Sequence, residues 1–162
     1  FSFTLGLIFG FTVSAMTVGI GFLLHEIAHK YMAQKYGCWA EFRADKSMLL
    51  MAIAMAAFAG FLFIAPGAVY IHGHVTTEKN GKISLAGPAT NLIIALVFLV
   101  IGIIMPSQII KYIASSGFQI NSWLALFNMI PFGNFDGIKI LRWNKNIYLA
   151  TVAIGILFTF VV

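Results

Sequence analysis

Charge is what this sequence most conspicuously lacks. Only 9% of its 162 residues are Asp, Glu, Lys or Arg, against about a quarter in a soluble domain. That scarcity excludes an ordinary globular enzyme, a disordered tail and a nucleic-acid reader. Cysteine is nearly absent as well. Cys38 stands alone, so no internal disulfide can form, and without a CxxC or a Cys/His tract neither redox chemistry nor a structural zinc knuckle is expected. No repeat with a period of about 20 to 50 residues recurs, which removes solenoid and propeller architectures. The chain opens on Phe1 rather than Met and is apolar at both ends. It is therefore expected to be a piece of a longer sequence, and no cleavable signal peptide is argued from it.

What the chain does contain is apolar matter: 60% of residues are hydrophobic and the mean hydropathy is +0.95. A spanning helix needs about 20 mostly apolar residues, and four or five segments of the chain approach that length. The first runs from Phe3 to Tyr36, with its polar residues gathered at its C-terminal end. The second, Met48 to Phe63, breaks at Pro66-Gly67. The third, Leu85 to Met105, opens on Gly87-Pro88, where a proline in the first turn is tolerated. The fourth, Phe118 to Leu141, is interrupted by Pro131 and Gly133, and the fifth runs from Ile147 to Val162. Between the second and third, Gly67–Val75 and Lys82–Leu85 flank Asn80-Gly81, a pattern that predicts a β-hairpin. The expected fold is an all-α polytopic membrane protein of about four to five transmembrane or re-entrant helices with a small membrane-associated β-hairpin. Residues 1–162 would form a single catalytic core.

Ten Lys and Arg against five Asp and Glu read as orientation, because basic residues collect on the cytoplasmic side of spans. Lys30, Lys35, Arg43, Lys46, Lys79, Lys82, Lys139, Arg142 and Lys145 would face the cytoplasm, with Lys111 outside. The segment over 48–66 has basic residues at both ends, so it is expected to be re-entrant or to lie on the membrane surface. Irregular backbone at that depth implies a protein-lined or wet cavity. The protein is thus expected to be a multi-pass component of the cell membrane.

The chemistry begins at His25-Glu26-Ile27-Ala28-His29. In this H-E-x-x-H pattern, residues i and i+4 of a helix share one face, so His25 and His29 can bind one Zn²⁺ while Glu26 stands beside it as a base for water. Two core histidines and a capping carboxylate would be the bland alternative. With 4 His in the whole chain a chance match is rare, and burying such groups in a membrane is costly unless they are paired, metallated or wet. Catalytic zinc takes three protein ligands. Glu41 and Glu78 occupy solvated positions, Asp45 suits a helix cap, and Asp136 lies at the end of an apolar span where a carboxylate needs a partner. Asp136 is the expected third ligand, against a salt bridge to Lys139 or Arg142. His72 and His74 alternate with glycine on one face of the predicted strand and are expected to be polar hairpin residues rather than ligands.

These residues resemble the site-2 proteases, the intramembrane zinc metalloproteases of peptidase family M50. The likeness is carried by HEIAH at 25–29, by Asn128, Pro131, Asp136 and Gly137 in an N-x-x-P-x-P-x-x-D-G pattern, and by Ala86-Gly87-Pro88-Ala89-Thr90-Asn91 in an A-G-P-x-x-N helix start. Gly133 stands where a second proline is usual, and Ile138 where a second glycine is common. The segment 48–63 is longer than expected between these motifs. The resemblance implies zinc held by His25, His29 and Asp136, and Glu26 as general base and acid. It also implies substrate contacts from Asn91 and Asn128, a single-span transmembrane protein as substrate, and a site nearer the cytoplasmic side. For Asn91 the residues leave a helix-to-helix hydrogen bond open. A metal-ion transporter or sensor built on the same three ligands is the alternative of another class. The sequence carries no sign of a nucleic-acid partner.

Overall fold

A computed structural model describes residues 3–44, 67–72 and 75–160. Among these, five helices and two strands follow in the order α1 (Phe3–Lys35), β1 (Trp39–Ala44), β2 (Gly67–His72), α2 (Thr77–Ile104), α3 (Gln108–Asn128), α4 (Asp136–Trp143) and α5 (Lys145–Phe160). The protein is mostly helical. The expected re-entrant helix over 48–66 lies outside the described residues.

α1 is 33 residues long, about 50 Å at 1.5 Å per residue. It ends where Gly37 takes φ +72°. There the Cys38 amide donates to the Ala33 carbonyl at 3.0 Å and the Gly37 amide to that of Gln34 at 2.9 Å, the pair of bonds that closes a helix with a left-handed glycine. Ala33 and Cys38 then pack with Ile83 of α2, flanked by Met32, Tyr36 and Val75. This contact fixes the C-terminal end of α1 against the N-terminal end of α2.

The predicted Asn80-Gly81 hairpin does not form. Gly67–His72 is extended as expected, but its partner is Trp39–Ala44, antiparallel, with Trp39 opposite His72 and Ala44 opposite Gly67. Residues 77–85 are instead the first turns of α2, capped by the Thr76 hydroxyl, which accepts from the Lys79 amide at 3.2 Å. Tertiary packing overrides the turn signal: a Cβ on Gly81 would overlap the side chain of Trp143, so this glycine serves a close approach of α4 rather than a turn. Pro88 consequently sits inside α2 and not at its start. The ring supplies no N–H to the Ser84 carbonyl one turn before it.

The fourth predicted segment also divides differently. Its apolar part starts earlier, as α3, and stops at Asn128. A turn follows with Gly133 at φ +62°, a conformation that proline, locked near −65°, cannot adopt. The chain then begins again as α4. α2 is the central element, packed against α1, α3 and α4, while α5 lies against α3 and α4. α1 and α2 are long and apolar enough to cross a membrane.

Candidate metal centre

The H-E-x-x-H pattern lies on α1 more than one turn before its end, so both imidazoles project from one face toward α2. Each is held by its Nδ1 atom. His25 Nδ1–H donates to Asn91 Oδ1 at 2.5 Å, and His29 Nδ1–H donates to the Ile83 carbonyl at 2.8 Å. The Asn91 amide oxygen and the Ile83 carbonyl can only accept, so the proton of each ring belongs on Nδ1 and the lone pair on Nε2. A partner on one ring nitrogen that orients the other is the usual support of a metal-binding histidine.

Asp136 arrives from the far end of the chain as the first residue of α4. What brings it in is Gly137, where a Cβ would overlap the backbone carbonyl of Met129 and lie 2.8 Å from the oxygen of Ile130. The first turn of α4 thus lies directly on the chain leaving α3. Asp136 Oδ2 sits 3.3 Å from His25 Nε2 and 2.9 Å from His29 Nε2; the two Nε2 atoms are 3.0 Å apart. The second carboxylate oxygen, Oδ1, is 3.4 Å from Lys139 Nζ. Asp136 thus turns one carboxylate oxygen toward the histidine pair and the other toward Lys139.

Three ligand atoms, all on buried side chains, thus form a nearly regular triangle with their lone pairs converging. Tetrahedral ligands about 2.1 Å from zinc stand about 3.4 Å from one another, slightly wider than the 2.9, 3.0 and 3.3 Å seen. Two imidazole nitrogens and a carboxylate oxygen are also the donors zinc prefers. Three lone-pair donors this close repel one another unless a positive charge lies among them, and Lys139 reaches only the other carboxylate oxygen.

Room for that charge is kept by Gly87. A Cβ there would lie 2.5 Å from His29 Nε2 and 2.6 Å from His25 Cε1, and closer still to His25 Nε2. It would occupy the space that an ion on both nitrogens needs, so the donor set and the cradle both fit zinc. Gly87 shows no left-handed φ; it is required for space.

Glu26 is buried on α1 between the two histidines in sequence. Asn91 is fully buried on α2. Besides accepting from His25, its amide nitrogen donates to Asn121 Oδ1 at 3.0 Å and to the Gly21 carbonyl at 3.2 Å. The helix-to-helix alternative describes it: Asn91 orients His25, and its polar atoms point into the bundle rather than toward an incoming peptide. Asn128 ends α3, half-buried, with its amide nitrogen donating to the Leu124 carbonyl at 2.9 Å. Glu78 is an exposed partner of Lys82 at 2.5 Å and lies away from the ligands. His72 closes β2, and His74 lies outside the described residues. Sequence reasoning overlooked Asn121 and the Ile83 carbonyl. Asn121 stands among Ser115, Ser116, Gln119 and Ser122 on α3, so its type singled it out only weakly; a main-chain acceptor leaves no signal.

No family model matches the chain, and no solved structure does. Curated proteins do. A Bacillus subtilis protein named "Putative zinc metalloprotease YwhC" is 26% identical over 78% of this chain and 66% of its own. The "Zinc metalloprotease MJ0392" of Methanocaldococcus jannaschii is 30% identical over 76% of this chain, though that is 31% of its own length. The same organism's "Putative zinc metalloprotease MJ0611" is 46% identical over 85% of this chain and 73% of its own. A likeness that high across most of both lengths, together with a buried donor set suited to the named metal, makes this protein a member of the zinc metalloprotease family.

Proposed function

We propose that the protein is an intramembrane zinc endopeptidase of the site-2 protease type, hydrolysing peptide bonds of single-span transmembrane substrates. The observation that carries this reading is the convergence of His25, His29 and Asp136 from opposite ends of the chain, with Glu26 buried beside them on the H-E-x-x-H helix. Membrane character is supported by the apolar faces of α1 and α2, where Phe11 is 75% and Ile103 74% exposed. A soluble protein rarely leaves so much apolar surface in water. Orientation is supported by where the charges fall. Lys79 Nζ donates to the Tyr36 carbonyl at 3.4 Å, and Lys139 sits at the site. Lys111 precedes Tyr112, whose ring is 5.7 Å from that of Phe9. Phe9 is 20 residues before His29 on α1, about 30 Å along the helix and about the thickness of the hydrocarbon. Basic residues at the site end support a cytoplasmic side for it.

Zinc held by His25, His29 and Asp136 supplies Lewis acidity toward the scissile carbonyl and acidifies water. The remaining work belongs to the chain. Asn91 and Ile83 keep each Nε2 lone pair pointed inward, and Lys139 engages the carboxylate oxygen that faces away from the histidines. Glu26 takes a proton from the attacking water and returns it to the departing amine. A substrate helix must unwind before its carbonyls are accessible. An edge of the β1–β2 pair would accept the extended segment by strand addition, and Asn128, at the end of α3, would lie along its path.

The test is Glu26→Gln in the full-length protein in detergent, measuring zinc content and cleavage of a labelled transmembrane peptide. The expected result is unchanged zinc and cleavage reduced by about 10²- to 10⁴-fold, the usual contribution of a general base. Undiminished cleavage in the variant would overturn the assignment of Glu26. A zinc-loaded wild type that cleaves nothing but passes zinc across vesicles would replace the protease with a transporter.

A further inference from the structure

Behind the metal cradle runs a line of amides of which the hydrolytic mechanism uses only Asn91. Asn121 of α3 is fully buried. Its Nδ2 donates to the Gly117 carbonyl at 2.8 Å, and its Oδ1 accepts from Asn91 Nδ2 at 3.0 Å. Asn91 Oδ1 in turn accepts from His25 Nδ1. We propose that Asn121 is a positioning residue of the metal centre, which fixes through Asn91 the tautomer of His25. The proposal rests on the reading that His25, His29 and Asp136 hold zinc.

Donor polarity fixes the direction of these bonds. A carboxamide can be turned end for end with little change of shape, and a turned Asn91 would present N–H groups to His25 Nδ1. The ring would then carry its proton on Nε2, where the lone pair for the metal is needed. What prevents the turn is that both Asn91 N–H groups already face acceptors, Asn121 Oδ1 and the Gly21 carbonyl at 3.2 Å. The shorter of these bonds is the one that Asn121 Oδ1 accepts. Asn121 could itself turn, except that its own N–H faces a main-chain carbonyl, which can only accept. Gly117 O, Asn121, Asn91 and His25 thus form a relay whose direction is set at a peptide group and read at the ligand. It crosses three helices, from α3 through α2 to α1. Gly21 makes the approach possible, because a Cβ there would overlap Asn121 Oδ1.

The experiment compares wild type, Asn121→Leu, Asn121→Asp and Gly21→Ala in the full-length protein, titrated with Co²⁺ and followed by the visible bands of the bound ion. Loss of an outer partner of a metal-binding histidine commonly costs about 10- to 100-fold in affinity. That is the loss expected for Asn121→Leu and Gly21→Ala. Asn121→Asp, kept neutral by burial, retains a donor for Gly117 and an acceptor for Asn91, so it should bind Co²⁺ within about threefold of wild type. A purely packing role would lower thermal stability in these variants without this pattern of affinities. Wild-type affinity in Asn121→Leu, or equal losses in the Leu and Asp variants, would overturn the proposal. Should the substituted chains not fold, ¹⁵N-histidine spectra of the metal-free wild type decide it: a His25 proton found on Nε2 removes the relay. A wild type that binds no Co²⁺ refutes the zinc reading, and that spectrum still judges the relay by itself.

Discussion

Replacing Gly87 with alanine should abolish metal binding while sparing the helix that carries it. The added carbon would stand 2.5 Å from His29 Nε2 and 2.6 Å from His25 Cε1, against 3.4–4 Å for ordinary contact. Each ring would therefore have to retreat by about 1 Å, whereas metal–ligand distances tolerate only about 0.2 Å. The methyl would also fill the space between the two nitrogens. The loss of zinc affinity should exceed the roughly 100-fold limit seen when only an outer partner is removed. Local helix propensity acts in the opposite direction, since alanine is favoured over glycine by about 1 kcal/mol in a helix. Gly87→Ala should thus keep its far-ultraviolet circular dichroism and lose its metal. Isothermal titration with zinc, alongside a helicity measurement on the same sample, reads both quantities. A folded Gly87→Ala protein that binds one zinc within about threefold of wild-type affinity would refute the geometric reasoning, and with it the location of the cradle.

Two other substitutions separate backbone placement from charge. Gly137→Ala drives a carbon into the Met129 carbonyl, which as main chain cannot rotate away; a destabilisation of about 3 kcal/mol or more should appear as a lower melting temperature, with loss of zinc because Asp136 moves. An unchanged melting temperature would contradict the close crossing of α4 over the end of α3. Lys139→Met removes the partner of Asp136 Oδ1 at 3.4 Å, but this lysine side chain is 36% exposed, and such pairs contribute about 0–1 kcal/mol. Its zinc affinity should fall less than about tenfold, and a larger loss in the same titration would mean that the ammonium does more than balance charge.

The outcome at Lys139 bears on how much of the site can be read without a structure. His25, Glu26 and His29 are local: a helix of any surroundings places i and i+4 on one face, so the ligand pair was legible in the sequence. Asp136 was reached by elimination, because few acids exist and only this one lies in apolar surroundings. The orienting partners were not legible in the same way. Ile83 acts through its main chain, which no side-chain identity announces. Asn121 is one of several polar residues on its helix, and its use depends on which helix α3 faces.

The same division holds for the fold. Length, hydropathy and the near absence of charge determined by themselves that the chain is built of long apolar helices, since those properties are summed along the chain and need no neighbours. Only the tertiary structure decided that Asn80-Gly81 belongs to a helix, because the side chain that demands a glycine there is Trp143, more than 60 residues away. It also decided that Gly67–His72 pairs backward with Trp39–Ala44, a choice of partner that alternation within either strand cannot make. Gly87 and Gly137 carry the same lesson. Each is glycine because of atoms brought against it by folding, the imidazoles in one case and the Met129 carbonyl in the other, and a residue defined by what it must not touch is invisible until its neighbours are in place.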